Sequence, residues 1–215
     1  MTTVATIITA AYLRSSQNDP GKLAQDAELI GHLNRVYQRV WMLIARARPD
    51  EFTNVVELTF SGAPPVVTLP ASIIDVLRIV DAATNETVNV IPVTDLLRTW
   101  NLPPRVHRAG MMLYSGNRTG DPVSGDVVNL ILISAAGPLT ALSDSLSEQW
   151  PVRHEQLLVD YLAVYLSVKD SGRNQQDRQA ILGELQQDVT ALASEYQLSP
   201  SQVGWIHADA ERAVG

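Results

Sequence analysis

Two changes of period divide this chain. Leu23, Ala27, Ile30, Leu33, Tyr37, Val40 and Ile44 recur at steps of three and four, the spacing of one helical face. From Asp50 the texture turns β-branched and alternating, as in NVVELTF and DVVNLILIS. From Leu157 the helical spacing returns through Leu158, Tyr161, Leu162, Tyr165 and Val168. A helix-period pattern does not settle as a strand, nor the reverse. Both ends must therefore supply helices, and the middle strands.

Local signals refine this order. Val4 to Leu13 predicts a short first helix. Asp19 before Pro20 reads as an N-cap with proline at the first helical position, opening a second helix of about 25 residues that stops before Pro49. In the middle, GAPPVVTLP reads as turn, strand, turn, and IIDVLRIVDAA with TVNVIPV predicts a hairpin around Thr84, Asn85 and Glu86. TDLLRTW predicts one or two helical turns. MMLYS and DVVNLILIS are two more strands, flanking the turn-rich SGNRTGDPVSG, long for a hairpin loop. Pro151 opens the next helical segment, which ends at Ser171 and Gly172. Asn174 then caps a helix carrying Ile181, Leu185, Val189, Leu192 and Tyr196, with Gly172 at the turn of an αα-hairpin.

The expected fold class is α+β: an antiparallel helical bundle from both chain ends, with an inserted antiparallel β module and a carboxy-terminal arm. The expected boundaries are 1–48 and 151–197 for the bundle, 49–150 for the β-rich module, and 198–215 for a docking arm or short helix. Termini of one domain usually lie close together, which fits.

Composition bounds the chemistry. Among 215 residues there is no cysteine, which removes disulfides, thiol nucleophiles and zinc–thiolate sites. No apolar run approaches the roughly 18 residues that span a bilayer, so no membrane role is expected. The start, MTTVATIITAAYL, lacks the basic region of a signal peptide and reads as mature sequence; the sequons at Asn85 and Asn117 then carry no weight. The net charge is −7, positive over residues 1–48 and negative over the rest. Such a chain repels nucleic acid overall, because binding it rests on Lys and Arg neutralising phosphates.

No catalytic or ligand-binding signature stands out. The four histidines, His32, His107, His154 and His207, share no metal-ligand spacing. His154 beside Glu155 reads as a surface histidine. There is no phosphate-binding glycine loop and no nucleophile elbow, and Gly110, Gly116, Gly120 and Gly125 stand among strands and turns. We therefore expect no catalytic residues, no cofactor and no metal.

Two basic features remain. Arg35, Arg39 and Arg46 fall on one face of the long second helix. They are either a solvated face or a stripe that meets an acidic partner, and we take them as candidate subunit-interface residues. In RTWNLPPRVHRAG, Arg98, Trp100, Arg105, His107 and Arg108 place cations beside an aromatic, as in nucleic-acid patches. The acidic surroundings favour ion pairing within the fold or with a neighbour.

The tail carries its own signal. Ser199, Pro200, Ser201 and Gln202 form a capping-box pattern with proline at N1, and Val203, Ile206, Ala210 and Ala213 follow at helical spacing. Trp205 beside Ile206 needs a cover. A fifth helix folded on the bundle and an arm that orders on a partner both supply one.

Three stretches resemble the head-to-tail adaptor (connector, neck) proteins of tailed bacteriophages: AELIGHLNRVYQRVWMLIARARP; TLPASIIDVLRIVDAATNETVNVIPVTDLLRTW; and QWPVRHEQLLVDYLAVYLSVKDSGRNQQDRQAILGELQQDV. The likeness covers about residues 1–197. It implies a structural virion protein of the neck, assembled in the host cytoplasm and not an enzyme. It implies a homo-oligomeric ring, commonly of twelve copies, under the portal protein, through which DNA passes without specific binding. Tail, nozzle or tail-completion proteins would attach to it. In such adaptors the carboxy-terminal segment reaches the portal, so Val203, Trp205 and Ile206 become candidate portal-docking residues. The alternatives are a phage tail-completion protein or assembly chaperone, and an unrecognised hydrolase.

Overall fold

The computed structural model describes residues 2–15, 25–91, 105–115, 120–169 and 175–212. The chain forms two compact units. Residues 1–48 and 136–215 make one, and residues 49–135 the other.

The first unit is built on five helices: α1 (Val4–Arg14), α2 (Asp26–Ala47), α3 (Glu155–Lys169), α4 (Gln175–Tyr196) and α5 (Pro200–Arg212). The central helix is α3, which packs against the other four. Every residue from Leu157 to Ser167 is buried. Sequence periodicity showed a single face here, but Val159, Ala163, Val164 and Leu166 fill the remaining ones, as in a helix surrounded by protein. The partners are one-sided. On α2 the buried set Leu29, Leu33, Val36, Tyr37, Val40, Trp41 and Ile44 keeps the expected spacing, and on α4 Ile181, Leu185, Val189, Leu192 and Tyr196 do the same.

Helix ends follow from local chemistry. Thr3 caps α1, its Oγ1 accepting from Thr6 N at 3.2 Å. Helix α4 ends with Gln197 in the left-handed region (φ 53°). Leu198 N then donates to Ala193 O at 2.9 Å, a six-to-one bond that satisfies a last-turn carbonyl. At α5, Ser199 N and Oγ both donate to Gln202 Oε1, at 2.7 and 2.9 Å; the Gln side chain thus reaches back to the cap as the sequence predicts. Three other expected features, the Asp19–Pro20 cap, the Asn174 cap and the Gly172 turn, lie outside the described residues.

Residues 136–147 are an extended strap held by polar side chains of α2. Gln38 Nε2 donates to Ala136 O at 2.8 Å, Leu139 N donates to Asn34 Oδ1 at 2.9 Å, and Ser147 N donates to Tyr37 Oη at 3.0 Å. The strap also meets the start of α1, where Val4 N donates to Asp144 O at 2.8 Å and Leu146 N to Thr2 O at 3.0 Å.

The second unit is one seven-stranded sheet: β1 (Thr53–Thr59), β2 (Val66–Thr68), β3 (Ile73–Asp81), β4 (Thr87–Ile91), β5 (Arg105–Ala109), β6 (Met112–Ser115) and β7 (Val127–Ser134). The order is β1-β7-β3-β4-β5-β6-β2. Beyond β1, Ser61 bridges to Val66 at the start of β2, so the last strand returns towards the first and the sheet nearly forms a barrel. Its inner face makes a core of its own from Phe60, Val67, Leu69, Ile79, Val88, Val106, Leu113, Val128, Leu130 and Leu132.

This overturns the expected fold class. The chain is not an antiparallel helical bundle with an inserted antiparallel β module and an arm. The strands form a large sheet of mixed direction, because β4 and β5 pair in parallel, Asn89 opposite Arg105 and Ile91 opposite His107. A parallel pair needs a crossover of about a dozen residues, and residues 92–104 supply that length. The expected helical turns of TDLLRTW fall on this stretch, outside the described residues. The long 116–126 connection has a related cause: β6 pairs with β5 and β2, whereas β7 pairs with β1 and β3. In place of an arm, residues 200–212 form α5, packed on α3 and α4.

The β3–β4 hairpin forms around the expected residues. Asp81 Oδ1 accepts from Ala83 N and Thr84 N, both at 2.8 Å, which holds this carboxyl below its usual range. Asn85 takes the left-handed conformation the turn requires (φ 59°).

Candidate functional site

Helix α2 turns one face away from the core of its unit. Arg35, Arg39, Met42 and Arg46 lie on it at steps of four, three and four, all exposed. Residues three and four apart on a helix are surface neighbours, so all four positions share one side. All three arginines singled out from the sequence therefore stand together. Arg39 is engaged within the chain: Nη1 donates to Asp209 Oδ2 at 2.9 Å, and its guanidinium carbon lies 4.8 Å from the centroid of the Trp205 ring. Arg35 and Arg46 make no ion pair among the described residues. Arg39, Met42, Leu43, Arg46 and Trp205 line one open groove.

The three tail candidates separate. Val203 and Ile206 are buried in α5, Ile206 completely (0% exposed). Trp205 is half-buried, with Arg39 over its ring. Packing of α5 on α3 and α4 thus covers Ile206 fully and Trp205 in part.

A different sign of charge collects on the sheet unit. Glu57 on β1, Asp81 at the end of β3 and Asp126 before β7 border one open cleft with Ala82, Ala83, Gly125 and Val127. Glu57 is exposed, and Asp126 Oδ2 accepts from Val123 N at 2.8 Å. None of the three makes an ion pair among the described residues.

The second basic feature is not a surface patch. Arg98 and Trp100 lie outside the described residues. Arg105 is buried in β5 beside Asp121: its N donates to Asp121 Oδ1 at 3.0 Å, and Nε lies 3.6 Å from the same oxygen. The His107 ring stacks on Tyr114 with centroids 5.0 Å apart, and Arg108 Nε donates to Gly110 O at 3.0 Å. Alternation along β5 sends these side chains to different faces, so the cations do not converge.

Two buried polar groups escaped sequence reasoning. His154 is buried, not on the surface, with Nε2 3.2 Å from Glu195 Oε2; burial lowers its pKa against the pull of Glu195. Asp160 is buried in the middle of α3 (1% exposed). Gln156 Nε2 donates to it at 2.7 Å, and Arg14 Nε stands 3.4 Å away. Burial, and then the Asp160 carboxyl, push neighbouring Asp188 up to about 6. An aspartate within an otherwise apolar helical run, LLVDYLAVYL, was the available signal. Among the described residues no group of three or more His, Asp and Glu could hold a metal ion, and no helix is long and apolar enough to cross a membrane.

What stands out is therefore surface: a basic, methionine- and tryptophan-bearing face on α2 and α5, and an acidic face on the sheet. Comparison with the curated proteins found no match. A family model described as SU10 adaptor protein matches residues 2–206, nearly the whole chain and all five helices through the middle of α5. The chain belongs to the SU10 adaptor protein family, in keeping with the resemblance to the head-to-tail adaptors of phages.

Proposed function

We propose that this phage adaptor assembles as a ring, of about twelve copies by analogy with head-to-tail connectors, beneath the portal of the filled head. There it continues the DNA channel and offers the surface to which tail or tail-completion proteins attach. The observation that carries this reading is the family match over residues 2–206. The net charge of −7 supports it. A wall of acidic subunits repels the phosphate backbone, so DNA slides through without being gripped. The role is structural and needs no reaction.

Val203, Trp205 and Ile206 are the proposed portal-docking residues. With Val203 and Ile206 buried, docking through all three requires α5 to leave its seat on α3 and α4. The connection Gln197–Leu198–Ser199 would be the hinge. Towards α2 the hold on α5 is one exposed ion pair and one cation–π contact, which contribute only about 1 kcal/mol each; portal contact must in addition offset the burial of Val203, Ile206 and Ala210.

Light scattering and electron microscopy of the chain, alone and mixed with its portal, test the proposal. The expected result is a ring formed on the portal. Binding to tail-tube subunits alone would favour a tail-completion role instead. A chain carrying Trp205→Ala, a half-buried position, should keep its circular dichroism and lose portal docking; normal docking by that chain would remove Trp205 from the account.

A further inference from the structure

A closed ring built head to tail needs two different surfaces on each copy, each fitting the other. The fold presents two such surfaces of opposite sign. On α2, Arg35 and Arg46 are exposed and without an acidic partner among the described residues, and Met42 between them is 37% exposed. Arginine, methionine and tryptophan are the residues enriched where protein surfaces meet. On the sheet, Glu57, Asp81 and Asp126 surround a cleft floored by the small residues Ala82, Ala83 and Gly125. A floor of small side chains leaves room for the long, flat guanidinium groups, and the turns at Ala83 and Val123 already fix Asp81 and Asp126 by hydrogen bonds.

We propose that the α2 face of one copy, through Arg35, Met42 and Arg46, docks on the acidic Glu57–Asp81–Asp126 face of the sheet in a second copy. This rests on the ring reading above and names its contact. Charge complementarity selects the occupant. The chain as a whole is acidic, so two copies repel unless the positive amino-terminal helices meet a negative surface. Like-sign pairing of two α2 faces, or of two sheets, would set charges of one sign against each other. The contact is thus heterologous, the type that continues from copy to copy.

The absence of native cysteine makes the test direct. Chains carrying Arg46→Cys, chains carrying Glu57→Cys and chains carrying both are each assembled with the portal and treated with a short bismaleimide linker. Denaturing gels then read the covalent products. The expected result is a dimer only in the one-to-one mixture of the two single variants, and a ladder of multimers from the doubly substituted chain. A companion variant, Arg35→Glu with Arg46→Glu, is expected to raise the concentration needed for half-assembly about tenfold while leaving circular dichroism and melting unchanged. If particles sediment as assembled rings but the mixture gives no dimer, or if either single variant cross-links to itself, this contact is wrong and the ring reading stands. If no multimer of the unsubstituted chain forms on the portal, both fall.

Discussion

The Arg39 guanidinium lies over the face of Trp205, 4.8 Å from its centroid, while its Nη1 holds Asp209 at 2.9 Å. This pairing joins α2 to α5 at the surface, above the fully buried Ile206. It divides the hold on α5 into a strong buried part and a weak exposed one. Ile206→Ala should cost about 3 kcal/mol, as large-to-small changes in packed sites do. Arg39→Ala should cost about 1 kcal/mol or less, since the contacts it removes are exposed. Urea unfolding followed by circular dichroism measures both, and equal costs would contradict this division.

One end of the strap is held by a phenol. Tyr37 is buried, lies tilted against Trp150 with centroids 5.0 Å apart, and accepts from Ser147 N at 3.0 Å. Tyr37→Phe keeps the ring and removes the acceptor. The expected loss is about 1 kcal/mol, with faster hydrogen exchange at Ser147. Unchanged exchange at that amide would show that the strap is held elsewhere.

Among the described residues of the sheet unit, Arg105 and Asp121 form a buried ion pair. Arg105 and Asp121 are each nearly enclosed, 2% and 6% exposed. Asp121→Ala leaves a buried guanidinium without this carboxylate and should cost about 3 kcal/mol. Asp121→Asn keeps an oxygen for the Arg105 N–H and should cost distinctly less. Thermal melting ranks the two, and a reversed order would contradict the assignment.

The Asp160–Asp188 neighbourhood makes stability depend on pH in an unusual direction. Asp188 is raised from 3.8 to about 6 in the folded chain, and Asp160 is raised by burial; Glu184 and Arg14 are the other charges near them. A carboxyl with a raised folded pKa contributes stability that is present in full below about 4 and is lost as pH rises through about 6. His154, lowered by burial, acts oppositely, losing stability on acidification, so the wild-type profile mixes both. Asp188→Asn isolates the first effect. The variant should melt higher than wild type at pH 8, and the difference should vanish near pH 4. A difference independent of pH would mean that Asp188 does not titrate in this window.

How much of this was legible depends on how local each signal is. The runs on α2 and α4, the Ser199–Gln202 cap and the turn at Asn85 are set by neighbours within a few residues, and the sequence displays them. Strand partners are not local. Nothing within TVNVIPV or RVHRA says that the two lie side by side in parallel; that follows from where the 92–104 crossover delivers the chain. The acidic surroundings of RVHRA pointed to ion pairing, but which carboxylate meets Arg105 is again decided by a residue distant in sequence, Asp121. Asp160 and His154 were obscured for a related reason, because burial of a polar group is decided by helices far away in sequence. Of the candidate residues, Arg35, Arg39 and Arg46 were recognisable as a stripe from their helical spacing alone. The hold of Arg39 on α5 was not, since Asp209 and Arg39 lie 170 positions apart.

The central claim is tested most directly by native mass spectrometry of the chain mixed with its portal. The account predicts one mass series, a portal ring carrying a full ring of adaptor copies, with few partial complexes. Portal rings that remain bare, or that carry single scattered copies at saturating adaptor concentration, would contradict it.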